Sequence, residues 1–84
     1  MPFVFKNNSK DSLSVFIEPS TDELLLKKGG ILLIALKFDE INNLSNFEFH
    51  FEDKELTIWL PHGQSADIYI NGVEYDSYAS KQIW

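Results

Sequence analysis

The chain contains neither cysteine nor arginine. Without cysteine no disulfide can staple the fold and no thiolate can serve as nucleophile or metal ligand, so hydrophobic contacts must hold the chain together. Without arginine the surface lacks the planar fork that grips phosphates and guanine edges. Combined with a net charge of −6, this makes nucleic acid and anionic membranes poor partners. Long apolar runs are also missing. The longest, Ile31 to Leu36, is a fraction of the roughly 20 residues that a spanning helix needs. The opening MPFVFKNNSK is too short and too lightly charged to read as a secretory signal, and the expectation is a soluble, cytoplasmic protein. There is no phosphate-cradling glycine loop and no nucleophile elbow, and nothing in the sequence asks for a cofactor.

What the chain does have is alternation. Its 84 residues make one domain, which at this size buries about 60 to 65% of its unfolded surface. The seven Phe are expected to be part of what holds that core together. Two segments, Phe47 to Leu60 and Ala66 to Tyr75, alternate apolar with polar at period two, the pattern of half-buried strands. Each reads as a hairpin. If Asp53 and Lys54 form a two-residue loop, Phe51 faces Leu56, Phe49 faces Ile58 and Phe47 faces Leu60 on the inward side. The outward side then pairs His50 with Thr57 and Glu48 with Trp59, and sets Glu52 against Glu55, a mildly unfavourable like-charge pair. In the second hairpin Asn71-Gly72 is a strong type I′ turn signal. Ile70 meets Val73 and Ile68 meets Tyr75, which leaves Asp67, Tyr69 and Glu74 outward.

The first half carries softer signals. Phe3 and Phe5 begin a strand, and Leu13, Val15 and Ile17 alternate inward on the next, with Phe16 outward, until Pro19 ends it. From Ser20 to Gly29 two readings compete. Ser20 followed by Glu23 resembles a capping box, and Lys27, Lys28 and Gly29 suit a helix end. Alternatively Gly29-Gly30 is a two-residue loop joining Glu23–Lys28 to Ile31–Phe38 as a hairpin, the choice more consistent with the other strands. The two arms of that hairpin are apolar on both faces. Either a curved or barrel-like sheet covers both faces or one face is an interface, and a homodimer is expected with Leu24, Leu26, Ile31, Leu33 and Ala35 at the contact. Asp39 to Asn46 reads as a polar loop with Ile41 and Leu44 tucked inward, and Gln82 to Trp84 as a tail that docks by its indole. The fold class that follows is all-β, a small antiparallel β-sandwich or barrel-like sheet of about seven to eight short strands joined by hairpins.

Charge is concentrated on the two hairpins. Between Asp39 and Asp76 lie Asp39, Glu40, Glu48, Glu52, Asp53, Glu55, Asp67, Glu74 and Asp76, against Lys54 as the one base. A solvated, solubilising surface explains much of this. The functional alternative is an acidic, aromatic face made of Glu48, His50, Glu52, Glu55, Thr57, Trp59, Asp67, Tyr69 and Glu74. There the rings provide area to desolvate and the carboxylates steer a basic protein partner, as in an immunity or inhibitor protein. A second possibility is a small ligand or carbohydrate stacked on Trp59 and Tyr69. An enzyme using His50 or His62 is the weakest. His50 and its neighbours Glu48 and Glu52 stand about 7 Å apart along one strand, too far for shared coordination, so no metal site is assigned. His62, Ser65 and Asp67 are merely adjacent in a turn, which does not make a hydrolytic triad.

Several fragments carry a resemblance: Ile17-Glu18-Pro19, Leu26-Lys27-Lys28-Gly29-Gly30, Thr57-Ile58-Trp59 and Tyr69-Ile70-Asn71-Gly72. Their succession over residues 13 to 75 resembles the layout of small bacterial all-β proteins of uncharacterised function. That resemblance implies the fold and transfers no activity.

Overall fold

In the computed structural model, which describes residues 2–37 and 47–84, the polar-apolar alternation becomes strand. The strands are β1 (Pro2–Lys6), β2 (Leu13–Glu18), β3 (Asp22–Leu26), β4 (Ile31–Leu36), β5 (Glu48–Glu52), β6 (Glu55–Trp59), β7 (Ala66–Ile70) and β8 (Val73–Tyr75). They form two four-stranded sheets, ordered β1-β4-β7-β8 and β3-β2-β6-β5. The first is antiparallel throughout. The second is mixed, because β2 and β6 run parallel. That pairing departs from the purely antiparallel sandwich expected from the sequence, and it arises because the chain crosses to the other sheet and back between β3 and β5. The expected loop at residues 39–46, with Ile41 and Leu44, lies outside the described residues.

Both hairpins of the second half have the expected register. Phe51 pairs Leu56, Phe49 pairs Ile58 and Glu52 pairs Glu55, and Ile70 pairs Val73. Asp53, Asn71 and Gly72 all take positive φ, as tight two-residue hairpin loops demand. The capping-box reading at Ser20 gives way to strand: β3 pairs with β2 from Leu26 back to Asp22, and its alternating burial matches a sheet and not a helix.

The core is aliphatic. Val15, Ile17, Leu26, Leu32, Ile34, Leu56, Ile58 and Ile68 are essentially closed to solvent, and every member of the buried cluster is Leu, Ile, Val or Ala. Burying each large aliphatic side chain contributes about 1.5 to 3 kcal/mol. The described phenylalanines of β1 and of the segment leading into and along β5 stand at the margin of the core. Phe3, Phe5 and Phe47 are half-buried against the cluster, while Phe49 and Phe51 are 50% and 61% exposed although their register points them inward. The reason is position: β5 is the last strand of its sheet, and an inward-pointing side chain on an edge strand has little of the opposing sheet above it.

The proposed hairpin of β3 and β4 does not form. β3 pairs with β2 in the mixed sheet, and β4 pairs with β1 and β7 in the other. Gly29-Gly30 therefore carries the chain from one layer to the other. Asn7 pins this crossing, accepting from Gly29 N through its carbonyl at 2.7 Å and donating its own N–H to Gly30 O at 2.9 Å. Its buried side-chain amide donates to Leu26 O at 3.0 Å. Each of the two strands then has its inner face covered by the opposing sheet, a cover that neighbours in one sheet cannot give each other. As a consequence Leu24 and Leu26 are core residues and cannot form a dimer contact, whereas Ile31, Leu33 and Ala35 lie on the outer face of the antiparallel sheet.

The two long edges of the sandwich differ. At the β3 and β8 edge the layers are laced together. Tyr75 Oη donates to Glu23 O at 3.1 Å, and the buried Asp22 carboxylate accepts from Tyr78 N at 2.7 Å, Ala79 N at 2.9 Å and Ser20 Oγ at 2.7 Å. The tail docks as expected of its indole, with Trp84 Nε1 donating to Tyr78 O at 3.2 Å and Trp84 N to Gln64 O at 2.9 Å. At the β1 and β5 edge the described residues meet through aromatic rings: Phe3 stacks on Phe47 at 4.3 Å and Phe47 on Phe49 at 4.8 Å.

Candidate acidic interface on the mixed sheet

Sheet order and register together give the outer face of the mixed sheet, row by row. Leu25, Ser14, Glu55 and Glu52 stand side by side across β3, β2, β6 and β5. Glu23, Phe16, Thr57 and His50 form the next row, and Glu18, Trp59 and Glu48 the third. The carboxylates of Glu18, Glu23, Glu48, Glu52 and Glu55 thus surround Phe16, Thr57 and Trp59, with no lysine in any row. Trp59 is 41% exposed, since the C-terminal tail docks at Tyr78 and Gln64 and leaves the indole of Trp59 open.

Six of the residues singled out by the sequence come together here: Glu48, His50, Glu52, Glu55, Thr57 and Trp59. Asp67, Tyr69 and Glu74 do not join them. They belong to β7 and β8 in the other sheet, and because the inner faces of the two sheets share one core, their outer faces look in opposite directions. On that opposite face Val4, Leu33, Tyr69 and Glu74 form one row, and Asp67 lies 3.6 Å from Lys37 Nζ. The acid counted along the second half of the chain is consequently divided between two surfaces. A shared stacking platform of Trp59 and Tyr69 is ruled out by this geometry.

Glu18 and Glu23 were missed in the sequence. Each looks isolated in the chain, and only the pairing of β2 with β6 on one side and β3 on the other sets Glu18 beside Trp59 and Glu23 in the row of Phe16 and Thr57. The alternation that turns Phe16 outward was legible, but nothing local said which strand would lie beside it.

The histidines are separate. His50 Nε2 lies 3.5 Å from Glu48 Oε2 on the exposed face. His62 is exposed in the turn after β6. The Ser65 hydroxyl is buried and donates to Ala79 O at 3.0 Å, so it is spent on holding the C-terminal segment and presents no nucleophile to His62. Among the described residues no group of three His, Asp or Glu side chains is placed to hold a metal ion. Among them too, no helix is long and apolar enough to cross a membrane.

Between β1 and β5 the inner faces part to form an apolar cleft of about 510 Å³, lined by Phe3, Phe5, Leu32, Ile34, Phe49 and Phe51 among others. Past Phe51 it gives way to a hollow of about 690 Å³ at the hairpin tip, rimmed by Asp11, Glu52, Asp53 and Glu55. Lys54 sits in this rim, 3.5 Å from Asp11 Oδ2.

Compared with protein-family models, curated proteins and solved structures, the chain finds no match.

Proposed function

We propose that this chain is a non-enzymatic protein-binding module of the immunity or inhibitor type, which masks a partner carrying a basic surface. The observation that supports the reading is the outer face of the mixed sheet, where Glu18 and Glu48 flank the exposed Trp59, Glu23, Glu52 and Glu55 lie in the two rows beyond, and no lysine intervenes. A large aromatic side chain flanked by like charges gives a partner both a surface to desolvate and a direction of approach. Carboxylates so crowded are mutually repulsive, and a basic partner relieves that repulsion. The test is affinity capture of host proteins by the wild-type chain and by Trp59→Ala and Glu48→Lys/Glu55→Lys variants, with the captured protein identified by mass. The expected result is a basic protein retained by wild type, lost by both variants, and still held by Glu74→Lys, which alters the opposite face. Capture indifferent to all three changes would count against the assignment.

A second reading, self-association, is supported by the outer face of the antiparallel sheet. There Val4, Leu33 and Tyr69 form a continuous apolar row with Ile31 and Ala35 beside it. Leu33→Glu should then halve the mass measured by light scattering at micromolar concentration. A wild-type mass that stays monomeric on concentration removes this reading and leaves the first untouched.

A further inference from the structure

We propose that the edge of β5 left unpaired among the described residues takes up an extended segment of the partner as an added strand, one in which apolar residues alternate with lysine or arginine. The inference rests on the acidic-interface reading above and says how that partner would be held.

The backbone supports it first. β5 ends the mixed sheet, and among the described residues only β6 pairs with it. The two-residue turn closes Glu52 and Glu55 as a hydrogen-bonded pair, and such pairs alternate along an antiparallel ladder. Glu48, His50 and Glu52 therefore aim their backbone groups at β6. Phe49 and Phe51 aim theirs at the open edge. An unpaired edge of this kind is a template for another strand unless it is blocked, and β5 carries no proline, bulge or inward-pointing charge to block it.

The side chains then state the pattern the segment must have. A strand laid beside β5 sends alternate residues to the two faces at about 7 Å intervals. One set enters the apolar cleft, over Phe49, Phe51, Phe5 and Ile34, so these positions require apolar side chains. The other set stands beside Glu48, His50 and Glu52 on the outer face, so these favour cations. A terminal lysine or arginine reaches the rim of Asp11, Asp53 and Glu55 at the hairpin tip. The same charges disfavour a second copy of this chain. If β5 paired with its symmetry mate about His50, Glu48 of each copy would face Glu52 of the other, a like-charge cross-strand contact made twice. Strand addition with side-chain pockets at alternate positions is an established mode of peptide recognition in general.

The test uses a fluorescein-labelled peptide of alternating lysine and valine, about seven residues long so that it overlaps the whole of β5, titrated with the full chain and followed by anisotropy. Four comparison peptides accompany it: one with lysines and valines in two blocks, one with serine in place of lysine, and two N-methylated at alternate amides, one on each edge. The proposal expects saturable binding to the alternating peptide. It expects a loss of about tenfold or more on N-methylation of one edge only, because backbone bonds are made on one side. It expects a similar loss with Glu48→Lys/Glu52→Lys and with Phe51→Asp, whose side chain is exposed enough for the variant to fold. Unchanged melting of each variant verifies that it does. If the alternating and blocked peptides bind equally, or if neither N-methylated form is weakened, strand addition is overturned while the acidic-interface reading stands. If binding survives Glu48→Lys/Glu52→Lys and the serine peptide binds as well as the lysine peptide, the electrostatic reading fails, and this proposal fails with it. Displacement of the peptide by laurate together with insensitivity to N-methylation would assign the cleft to an acyl chain and also overturn the proposal.

Discussion

Trp59 and Tyr69 stand on opposite outer faces of the sandwich, one on β6 of the mixed sheet and the other on β7 of the antiparallel sheet. Any interface that uses one leaves the other free, and the two can be probed separately.

In a Trp84→Phe background, Trp59 is the single emitter. With 41% of its surface open, it should be quenched readily by acrylamide and emit to the red. Strong protection from acrylamide would mean that the face is covered in the monomer and would withdraw its candidacy.

Ile58 and Phe51 make a stability pair that tests where the core ends. Both point inward by register, but Ile58 is 0% exposed and Phe51 is 61% exposed. Ile58→Ala should cost about 2 to 5 kcal/mol in urea unfolding, through lost burial and a cavity. Phe51→Ala removes the larger side chain yet should cost less than about 1 kcal/mol. Equal costs would place Phe51 in the core after all.

Asp22 accepts from the amides of Tyr78 and Ala79 in a buried site. Asp22→Ala leaves both donors without an acceptor, at a cost of about 2 to 4 kcal/mol. Hydrogen exchange by NMR should show the Tyr78 and Ala79 amides losing protection well beyond those of β2. A uniform loss across the chain would mean that the carboxylate supports global stability and not the docking of the C-terminal segment.

At the crossing between sheets, a Cβ on Gly30 would lie 2.9 Å from Lys27 O and 2.8 Å from Leu26 Cδ1, whereas one on Gly29 would meet nothing within 4 Å. The carbonyl of Lys27 cannot yield easily because it accepts from Gly30 N at 2.8 Å. Gly30→Ala should therefore destabilise by about 1 to 3 kcal/mol through overpacking. Gly29→Ala should cost about 1 kcal/mol, from its φ of +78° alone. Thermal melting of the two variants checks the order, which reverses if backbone strain outweighs the clash.

Much of the local structure could be read from residues close together in the chain. The partners of Phe49 and Phe51 across the β5-β6 turn, the positive φ at Asn71, and the inward set Leu13, Val15 and Ile17 all follow from period-two alternation and turn chemistry. The candidate site was legible only in part, because Glu48, His50, Glu52, Glu55, Thr57 and Trp59 share one hairpin. Glu18 and Glu23 joined it through β2, and Asp67, Tyr69 and Glu74 left it through β7. Neither move leaves a trace in local pattern.

What the sequence by itself determined is which side of β2, β5, β6 and β7 is apolar and that the β5-β6 and β7-β8 hairpins close, since both depend on neighbours within a turn's reach. Only the tertiary structure decided which sheet each strand enters, that Leu24 and Leu26 join one core with Leu32 and Ile34 from separate sheets instead of along a hairpin, and that the phenylalanines of β5 stay open to solvent. The physical reason is that strand pairing across long separations is selected by the total apolar surface buried between two layers. Alternation identifies the face to be covered but not the strand that covers it.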